Sequence, residues 1–176
     1  FEHSCIEKGL SYKEGGTVYT VISPHICGLP DAVNSLYAIK KAVFDDKLIS
    51  FDRFMEILKN NWEKEEELRK RILSGYTYFG NDNDEADEIA ARVLDGFSDS
   101  CMEYDGKTPI RFVSGVSTFG RQIEWAPARS AAPFGRKKGE VLSGNMSPTP
   151  GTDHSGAAAI IKSYCKADLR KQYTGA

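Results

Sequence analysis

A histidine and a thiol lie close together in this chain, directly after an apolar run. Thr17 to Ile22 is β-branched and aromatic, which predicts a buried strand. The loop after it runs Ser23-Pro-His-Ile-Cys27, so His25 and Cys27 follow the carboxyl end of that strand. In α/β folds the loops at these ends carry most ligand-binding and catalytic groups. This loop is therefore the first candidate site.

The second candidate is the carboxyl group of Glu124, which lies between Ile123 and Trp125. A carboxyl group in an apolar setting is desolvated and is then suited to proton transfer, as is a histidine near neutral pH. A solvated or salt-bridged glutamate at a strand edge is the alternative interpretation. For His25 the alternative is a residue beside a helix, hydrogen-bonded to the backbone.

A helix directly after the first loop is predicted to position His25 and Cys27. Pro30 suits the first turn of a helix, and Asp31 is favourable beside its positive end. Apolar residues then recur at near-helical spacing, at Val33, Leu36, Ile39 and Val43.

Other segments predict further helices and one further strand. Ser50 is a predicted N-cap, followed by a helix that continues through the alternating charges of residues 63–71. Residues 81–84 open another helix, which has an apolar stripe to Cys101. Residues 110–113 predict a strand, residues 1–10 the end of a helix, and residues 157–164 a short helix.

Residues 126–156 are rich in Gly, Pro and Ser and predict a long stretch without regular structure. Such a stretch in a compact domain is usually functional or wraps over a larger body. It contains Gly135-Arg-Lys-Lys-Gly139, which lacks the spacing of a phosphate-binding loop.

Composition excludes several classes of partner. The 176 residues carry a formal charge of −2 with acids and bases interspersed, which gives no reason to expect nucleic acid or an anionic membrane. No apolar run approaches the roughly 20 residues that span a bilayer. The four cysteines are far apart, which favours reduced thiols in a cytoplasmic protein over disulfides or a metal site.

Four short segments together resemble the glycyl radical enzymes of the pyruvate formate-lyase type. They are Gly28–Lys41, Tyr78–Asp84 with Asp87, Ala132–Lys137 with Gly139 and Glu140, and Ser147–Asp153. Their order and spacing cover nearly the whole chain. Phe134 departs from the family pattern, which usually has Asp before Gly-Arg, and this leaves the contacts of that loop open.

The resemblance implies the fold and the place of this chain within it. The expected fold class is α/β, an incomplete part of a ten-stranded α/β barrel, with residues 1–176 as the C-terminal part of the barrel domain. The cysteine loop of the family would precede Phe1, and the glycyl radical loop would follow Ala176. Neither Cys5 nor Cys27 stands in a matching motif for the thiyl radical. The isolated chain is thus expected to be inactive.

Within the family, the segments around His25 and Glu124 most resemble the arylacetate decarboxylases, especially those acting on 4-hydroxyphenylacetate. The resemblance implies that His25 and Glu124 bind the phenolic hydroxyl and accept its proton as the carboxylate is lost. Two alternatives remain open. One is a glycyl radical lyase that breaks a C–O, C–N or C–S bond of a diol, a choline-like amine or a sulfonate; the other is a non-catalytic module that completes a barrel.

The resemblance also implies partners. A radical-SAM activating enzyme would install the glycyl radical on the part of the protein after this chain, and no cofactor would be bound by the segment itself. A small-molecule substrate, a small iron–sulfur subunit and a homo-oligomer of the full-length protein are the other expected partners.

Overall fold

The computed structural model describes residues 2–108 and 110–175. The helices are α1 (His3–Lys8), α2 (Leu29–Ile39), α3 (Phe51–Lys59), α4 (Glu66–Gly75), α5 (Asp84–Met102), α6 (Gln122–Trp125) and α7 (Ala157–Cys165). The strands are β1 (Thr20–Ile22), β2 (His25–Ile26), β3 (Ile110–Phe112) and β4 (Gly115–Val116). A π-helical turn, Lys40–Asp45, extends α2, and 3-10 turns lie at Tyr12–Glu14, Ala126–Ala128 and Leu169–Lys171.

The strands form two parallel pairs. β1 and β2 follow one another in one stretch of chain, and they pair with β3 and β4, which follow one another in a second stretch. β1 pairs with β3 from Thr20 opposite Ile110, and β2 pairs with β4 from His25 opposite Gly115. Pro24 separates β1 from β2, and proline has no N–H to give to a ladder. The carbonyl of Pro24 still accepts from the Gly115 N–H at 3.1 Å, which keeps the two pairs in line. Parallel strands joined through helices confirm the predicted α/β class.

The first predicted strand is shorter and more exposed than its sequence indicates. Regular pairing begins only at Thr20, and the side chains of Val18 and Tyr19 are 72% and 68% exposed. β1 has one partner strand within the described residues, and Ile22 at its end is also exposed. Parallel strands are normally covered on both faces. This segment therefore has the composition of a buried strand, although several of its side chains are exposed.

Helix α2 begins as predicted. Gly28 adopts a left-handed conformation as its N-cap, Pro30 lies in the first turn, and Val33 is fully buried. Leu36 is 48% exposed, which departs from the predicted apolar stripe. It lies on the outer side of the helix, where it borders a groove with Ile89 of α5.

The helix predicted from Ser50 through residue 71 is broken in two. Ser50 caps α3 by accepting from the Arg53 N–H, but α3 ends at Lys59 and α4 begins at Glu66. Asn61, Trp62 and Lys64 between them have positive φ angles. The buried indole of Trp62 packs on Phe54 with ring centroids 5.7 Å apart, and this burial holds the bend.

The broken helix also changes the predicted ion pairs of that stretch. We expect Glu65 to pair with Arg69 on a continuous helix, but Glu65 lies 2.5 Å from Arg53 and Arg69 pairs with Glu66 at 2.6 Å. The pair of Arg53 and Glu65 thus crosses the bend, while Glu66 and Arg69 form an i,i+3 pair within α4.

The remaining helices agree with their sequence patterns. Asn83 caps α5 by accepting from the Glu85 N–H, and the stripe of α5 is buried as far as Cys101. Gly9 ends α1 in a left-handed conformation. The last predicted helix is α7.

Two apolar clusters hold these elements together. One joins α2, α3 and α4 to the long loop through residues such as Phe54, Trp62, Tyr78 and Phe134. The other joins the start of α2 to α5 and β4 through Leu29, Val33, Leu94 and Val116. Helices α2 and α5 therefore pack against the strand pair β2 and β4. Among residues 2–108 and 110–175, no helix is long and apolar enough to cross a membrane.

Candidate functional site

His25 lies on β2 with its ring held on two sides. The Nε2 atom is 3.0 Å from the Ser23 hydroxyl and 3.5 Å from the Thr174 hydroxyl. The Phe119 ring packs against the imidazole, with 5.0 Å between centroids and 54° between planes. The other ring nitrogen, Nδ1, is buried and has no hydrogen-bond partner in the described chain. The histidine therefore has one engaged nitrogen and one free nitrogen.

Thr174 reaches His25 because the end of the described chain runs beside β4. The Val116 N–H donates to the carbonyl of Gly175 at 2.9 Å. A Cβ on Gly115 would lie 1.7 Å from the Thr174 carbonyl oxygen, so only glycine permits this approach. Sequence reasoning did not find this contact, because 149 residues separate Thr174 from His25.

Cys27 follows β2 in the same loop and is exposed. Its thiol donates to the carbonyl of Ser117, with 2.7 Å between sulfur and oxygen. The loop after β2 is thereby fastened to the loop after β4. The two loops at the carboxyl ends of these parallel strands thus meet, as the α/β prediction requires.

A cavity of about 360 Å³ opens beside Cys27 at the N-terminal end of α2. The Arg129 guanidinium lies over the Trp125 ring on its wall, 6.0 Å from the ring centroid. Polar groups of Ser35, Thr118, Ser143, Asp31 and Arg136 share the wall with the apolar side chains of Ala32, Ala132 and Leu142. A cavity of this size, with a largely apolar wall and a few polar groups, fits a small molecule.

The carboxylate of Asp31 and the guanidinium of Arg136 form a buried pair under this cavity. Asp31 Oδ2 lies 3.5 Å from Arg136 Nε, and both side chains are about nine-tenths buried. Asp31 Oδ1 accepts from the Thr149 hydroxyl at 2.6 Å and from the Ser143 N–H at 3.3 Å. The terminal nitrogens of Arg136 donate to three backbone carbonyls, those of Ser130, Lys137 and Glu140. The pair thus fixes the long loop against α2.

Two asparagines join the other segments that carry the family resemblance. Asn34 donates to the Thr149 hydroxyl at 3.2 Å and accepts from the Phe79 N–H at 3.1 Å. Asn81 donates to the Thr152 carbonyl at 2.7 Å. The four segments that carry the family resemblance therefore meet in space, where they hold residues 126–156 in place.

Phe134 fills the first apolar cluster. Its ring is 1% exposed and meets the Tyr78 ring edge-on, with 6.1 Å between centroids. The departure from the family pattern at this position thus places an aromatic ring in the core beneath the loop. The burial also raises the pKa of the Tyr78 hydroxyl, which donates to the Ile72 carbonyl.

Glu124 lies on the short helix α6 rather than on a strand, and its side chain is exposed. Its neighbour Ile123 is 66% exposed, so the apolar setting expected from the sequence is open to solvent. No ion pair or side-chain hydrogen bond to Glu124 occurs among residues 2–108 and 110–175.

The structure does not bring His25 and Glu124 into direct contact. His25 meets Phe119, five residues before Glu124 on the same segment, and its polar contacts are Ser23 and Thr174. Glu124 is likewise outside the wall of the cavity beside Cys27.

Sequence reasoning missed a polar cluster that shapes the turn before α6. The Thr118 N–H donates to the Asn145 side chain at 2.9 Å, and the Thr118 hydroxyl donates to Gln122 at 3.0 Å. Asn145 has a φ of 49°, a conformation that Asn tolerates better than most residues. The Gly144-Asn145 pair is a turn signal, but nothing in the sequence indicates which segment it contacts.

Lys166 pairs with three acidic residues at the N-terminal end of α5. Partial burial of Lys166 lowers the pKa of its ammonium group, but hydrogen bonds to Asp82, Asp84 and Asp87 outweigh this effect and raise the pKa. Asp87 is buried and also accepts from the Ser163 hydroxyl at 2.9 Å. The acids at the start of α5 therefore fasten α7. Within the described residues no group of His, Cys, Asp or Glu could hold a metal ion.

Comparison with protein families gives a match over most of the chain. A family described as pyruvate formate lyase-like matches residues 1–124. This agrees with the family predicted from the four segments.

Known relatives match almost the whole chain. It is 32% identical over 170 residues to the probable dehydratase YbiW of Escherichia coli (strain K12), covering 92% of this chain and 21% of the relative. It is also 32% identical to the (2S)-3-sulfopropanediol dehydratase of Klebsiella oxytoca, over 96% of this chain and 21% of the relative. The glycerol-bound B12-independent glycerol dehydratase of Clostridium butyricum superposes with a TM-score of 0.89 at 30% identity, covering 98% of this chain and 22% of that structure.

These comparisons bear on the predicted subgroup. Indoleacetate decarboxylase of Tractidigestivibacter scatoligenes is 28% identical, while the relatives at 30% or more include dehydratases and sulfite-lyases. The alternative lyase interpretation is therefore better supported than the arylacetate decarboxylase. The chain spans about a fifth of the length of these relatives, as expected for one part of a barrel. With the family match and the superposition in agreement, the chain belongs to the pyruvate formate lyase-like family of glycyl radical enzymes, and its α/β fold is part of their barrel.

Proposed function

We propose that the full-length protein is a glycyl radical lyase that breaks a C–O or C–S bond of a small polar substrate. The observation that carries this proposal is the similarity of the chain to dehydratases and sulfite-lyases at 30% to 36% identity over most of its length. An arylacetate decarboxylase is the second candidate, favoured by the 28% identity to an indoleacetate decarboxylase.

The geometry of the candidate site supports the lyase over the decarboxylase. A decarboxylase of the predicted kind needs a histidine and a glutamate on the same phenolic hydroxyl, but Glu124 is exposed and makes no contact with His25. The cavity beside Cys27 combines an apolar wall with hydroxyl and charged groups, which can hold the hydroxyl or sulfonate group of a small substrate.

We propose that residues 1–176 form the C-terminal part of the barrel domain, and that the reacting cysteine and glycine lie elsewhere in the protein. The glycyl radical, once installed by a radical-SAM activating enzyme, supplies the hydrogen-atom abstraction that starts the reaction. This chain contributes wall and pocket, with His25 as its substrate-contacting residue, and would be inactive alone. We also propose that the full-length protein forms a homo-oligomer in the cytoplasm. If it is an arylacetate decarboxylase, a small iron–sulfur subunit would accompany it.

A substrate panel tests the proposal directly. The full-length protein would be activated without oxygen by its activating enzyme and offered glycerol, propane-1,2-diol, trans-4-hydroxy-L-proline, isethionate, (2S)-3-sulfopropanediol, indoleacetate and 4-hydroxyphenylacetate. We expect C–O or C–S cleavage, detected as an aldehyde, a dehydrated product or sulfite. Release of CO₂ from an arylacetate, with no conversion of the other compounds, would contradict the proposal.

A pair of glutamate variants separates the two candidates further. Glu124→Gln should leave lyase activity within about twofold of wild type, because Glu124 lies outside the wall of the cavity beside Cys27 and does not contact His25. Glu103→Gln is the matched control, since Glu103 is also exposed. If Glu124→Gln alone lowers kcat by more than about tenfold, Glu124 takes part in proton transfer and the decarboxylase candidate gains.

A further inference from the structure

A row of hydroxyl groups links His25 to the backbone carbonyl of Ser114, which lies between β3 and β4. The Ser23 hydroxyl contacts both His25 Nε2, at 3.0 Å, and the Thr174 hydroxyl. The Thr174 hydroxyl in turn lies 3.3 Å from the carbonyl oxygen of Ser114. The row therefore ends on a group that can accept a hydrogen bond and cannot donate one.

The Ser114 carbonyl also accepts from the N–H groups of Tyr173 and Thr174, and we assign the Thr174 hydroxyl as its third donor. Thr174 has a single hydroxyl proton, and it is used on the Ser114 carbonyl. Thr174 must then accept from Ser23, which uses the single hydroxyl proton of Ser23. Ser23 must consequently accept from His25, so the hydrogen of the neutral imidazole is on Nε2.

The same direction leaves the lone pair of Nδ1 free. Nδ1 is buried and lacks a hydrogen-bond partner within the described chain. A buried acceptor without a donor is unfavourable, so a donor from another molecule or another part of the protein is expected there. Phe119 covers one face of the ring and restricts the approach to its edge.

We propose that Ser23 and Thr174 are positioning residues that hold His25 as its Nε2–H tautomer, so that Nδ1 accepts a hydrogen bond from a hydroxyl group of the substrate. The substrate part rests on the proposed function, because a diol or hydroxylated substrate carries such a donor. Histidines are commonly set in one tautomer by the hydrogen bond at the other nitrogen.

Nitrogen NMR of the full-length, unactivated protein tests the tautomer without any turnover. Histidine would be labelled with ¹⁵N in the ring, and the spectrum recorded by solid-state NMR at about pH 8.5, about two units above the ordinary pKa of histidine. His25→Gln identifies the His25 signals by difference. We expect a protonated Nε2 and a bare Nδ1 in the wild type, and a mixture of tautomers in Ser23→Ala.

Two further variants keep this test decisive. Ser23→Thr retains the hydroxyl and should restore the single tautomer, while Ser100→Ala removes an exposed serine hydroxyl on α5 and should change nothing. A wild-type spectrum with the proton on Nδ1, or a Ser23→Ala spectrum identical to wild type, would overturn the positioning role.

Kinetics of the activated protein tests the substrate contact, with the compound converted in the panel above. Asparagine at position 25 places an amide near the site of Nδ1, and glutamine places one near the site of Nε2. We expect His25→Asn to retain more kcat/KM than His25→Gln, and Ser23→Ala to lose about fivefold, the effect of one hydrogen bond. Equal or better activity of His25→Gln would overturn the assignment of Nδ1.

The two measurements distinguish this inference from the proposed function. If no diol, hydroxyproline or sulfonate is converted, the proposed lyase fails and so does the substrate contact, while the NMR result on the tautomer stands by itself. If a lyase activity is found but the spectrum shows the other tautomer, only the inference about Ser23 and Thr174 fails.

Discussion

Loss of the buried Arg136 guanidinium should release the long loop from α2. In Arg136→Met the methionine keeps an unbranched apolar stem, but the carboxylate of Asp31 loses its buried cation, 3.5 Å away. The three backbone carbonyls that Arg136 satisfies also lose their donor. The change therefore removes charge and hydrogen bonds with little loss of volume.

The expected magnitude follows from the burial of both partners. Removal of one member of a buried pair typically costs about 3–5 kcal/mol, because the remaining charge has no compensation. By contrast Arg53, whose side chain is 53% exposed, contacts Glu56 and Glu65. Exposed pairs of this kind contribute about 0–1 kcal/mol, so Arg53→Met is the matched control.

Hydrogen exchange of the full-length protein, followed by mass spectrometry of peptides, measures the effect locally. We expect amides of residues 130–150 and of the start of α2 to exchange about a hundredfold to a few thousandfold faster in Arg136→Met, since each 1.4 kcal/mol corresponds to a factor of ten. Peptides from α1 should be unaffected. The double variant Asp31→Asn with Arg136→Met should recover part of the protection, because it removes the uncompensated charge.

One result would refute this reasoning. If Arg136→Met changes exchange no more than Arg53→Met does, the pair does not hold the loop, and the hydrogen bonds of Asn34 and Asn81 must be sufficient. A double variant less protected than the single one would also contradict the argument, since it would show that the Asp31 carboxylate stabilises the loop without Arg136.

Three further predictions concern packing and pH. Phe134→Ala should destabilise the segment around the first apolar cluster by about 3–5 kcal/mol, measured by exchange of α4 peptides, and a loss under 1 kcal/mol would show that the ring is not in the core. Gly115→Ala should displace the chain at Thr174 and cost about 1–3 kcal/mol or more, seen as faster exchange of residues 173–175; unchanged exchange there would contradict the close approach. Hydrogen bonds from Arg69 and Lys137 lower the pKa of Glu66 to about 2, so its contribution to stability is present above pH 4.5 and is lost as the pH falls towards 2. Denaturation of Glu66→Gln should lack this part of the acid dependence, and a profile identical to wild type would show that the pair contributes nothing.

Local patterns in the sequence were sufficient to predict most of the helices. Ser50 and Asn83 are side chains that cap helices, and Gly9 ends one, so the end of α1 and the starts of α3 and α5 follow from neighbours in the chain. The break after Lys59 could not be predicted in this way. It depends on the burial of Trp62 against Phe54 and on the bond from its indole to the carbonyl of Ala132, which is 70 residues away.

The strands were harder to predict because their burial depends on what covers them. The composition of residues 17–22 predicts a buried strand, but only part of it pairs and Val18 and Tyr19 are exposed. The composition of a segment indicates whether it is suited to a buried or an exposed position. The number of neighbouring strands that are actually present is a property of the assembled fold.

The candidate site divides in the same way. The sequence by itself determined the family, the α/β class, the position of His25 after the first strand and the irregular course of residues 126–156. Only the tertiary structure decided that Glu124 is exposed and apart from His25, that Asp31 pairs with Arg136, and that Ser23 and Thr174 orient the imidazole. The physical reason is that propensity and capping act between near neighbours in the chain. The direction of a hydrogen bond and the burial of a charge depend on groups that folding brings together from positions more than a hundred residues apart.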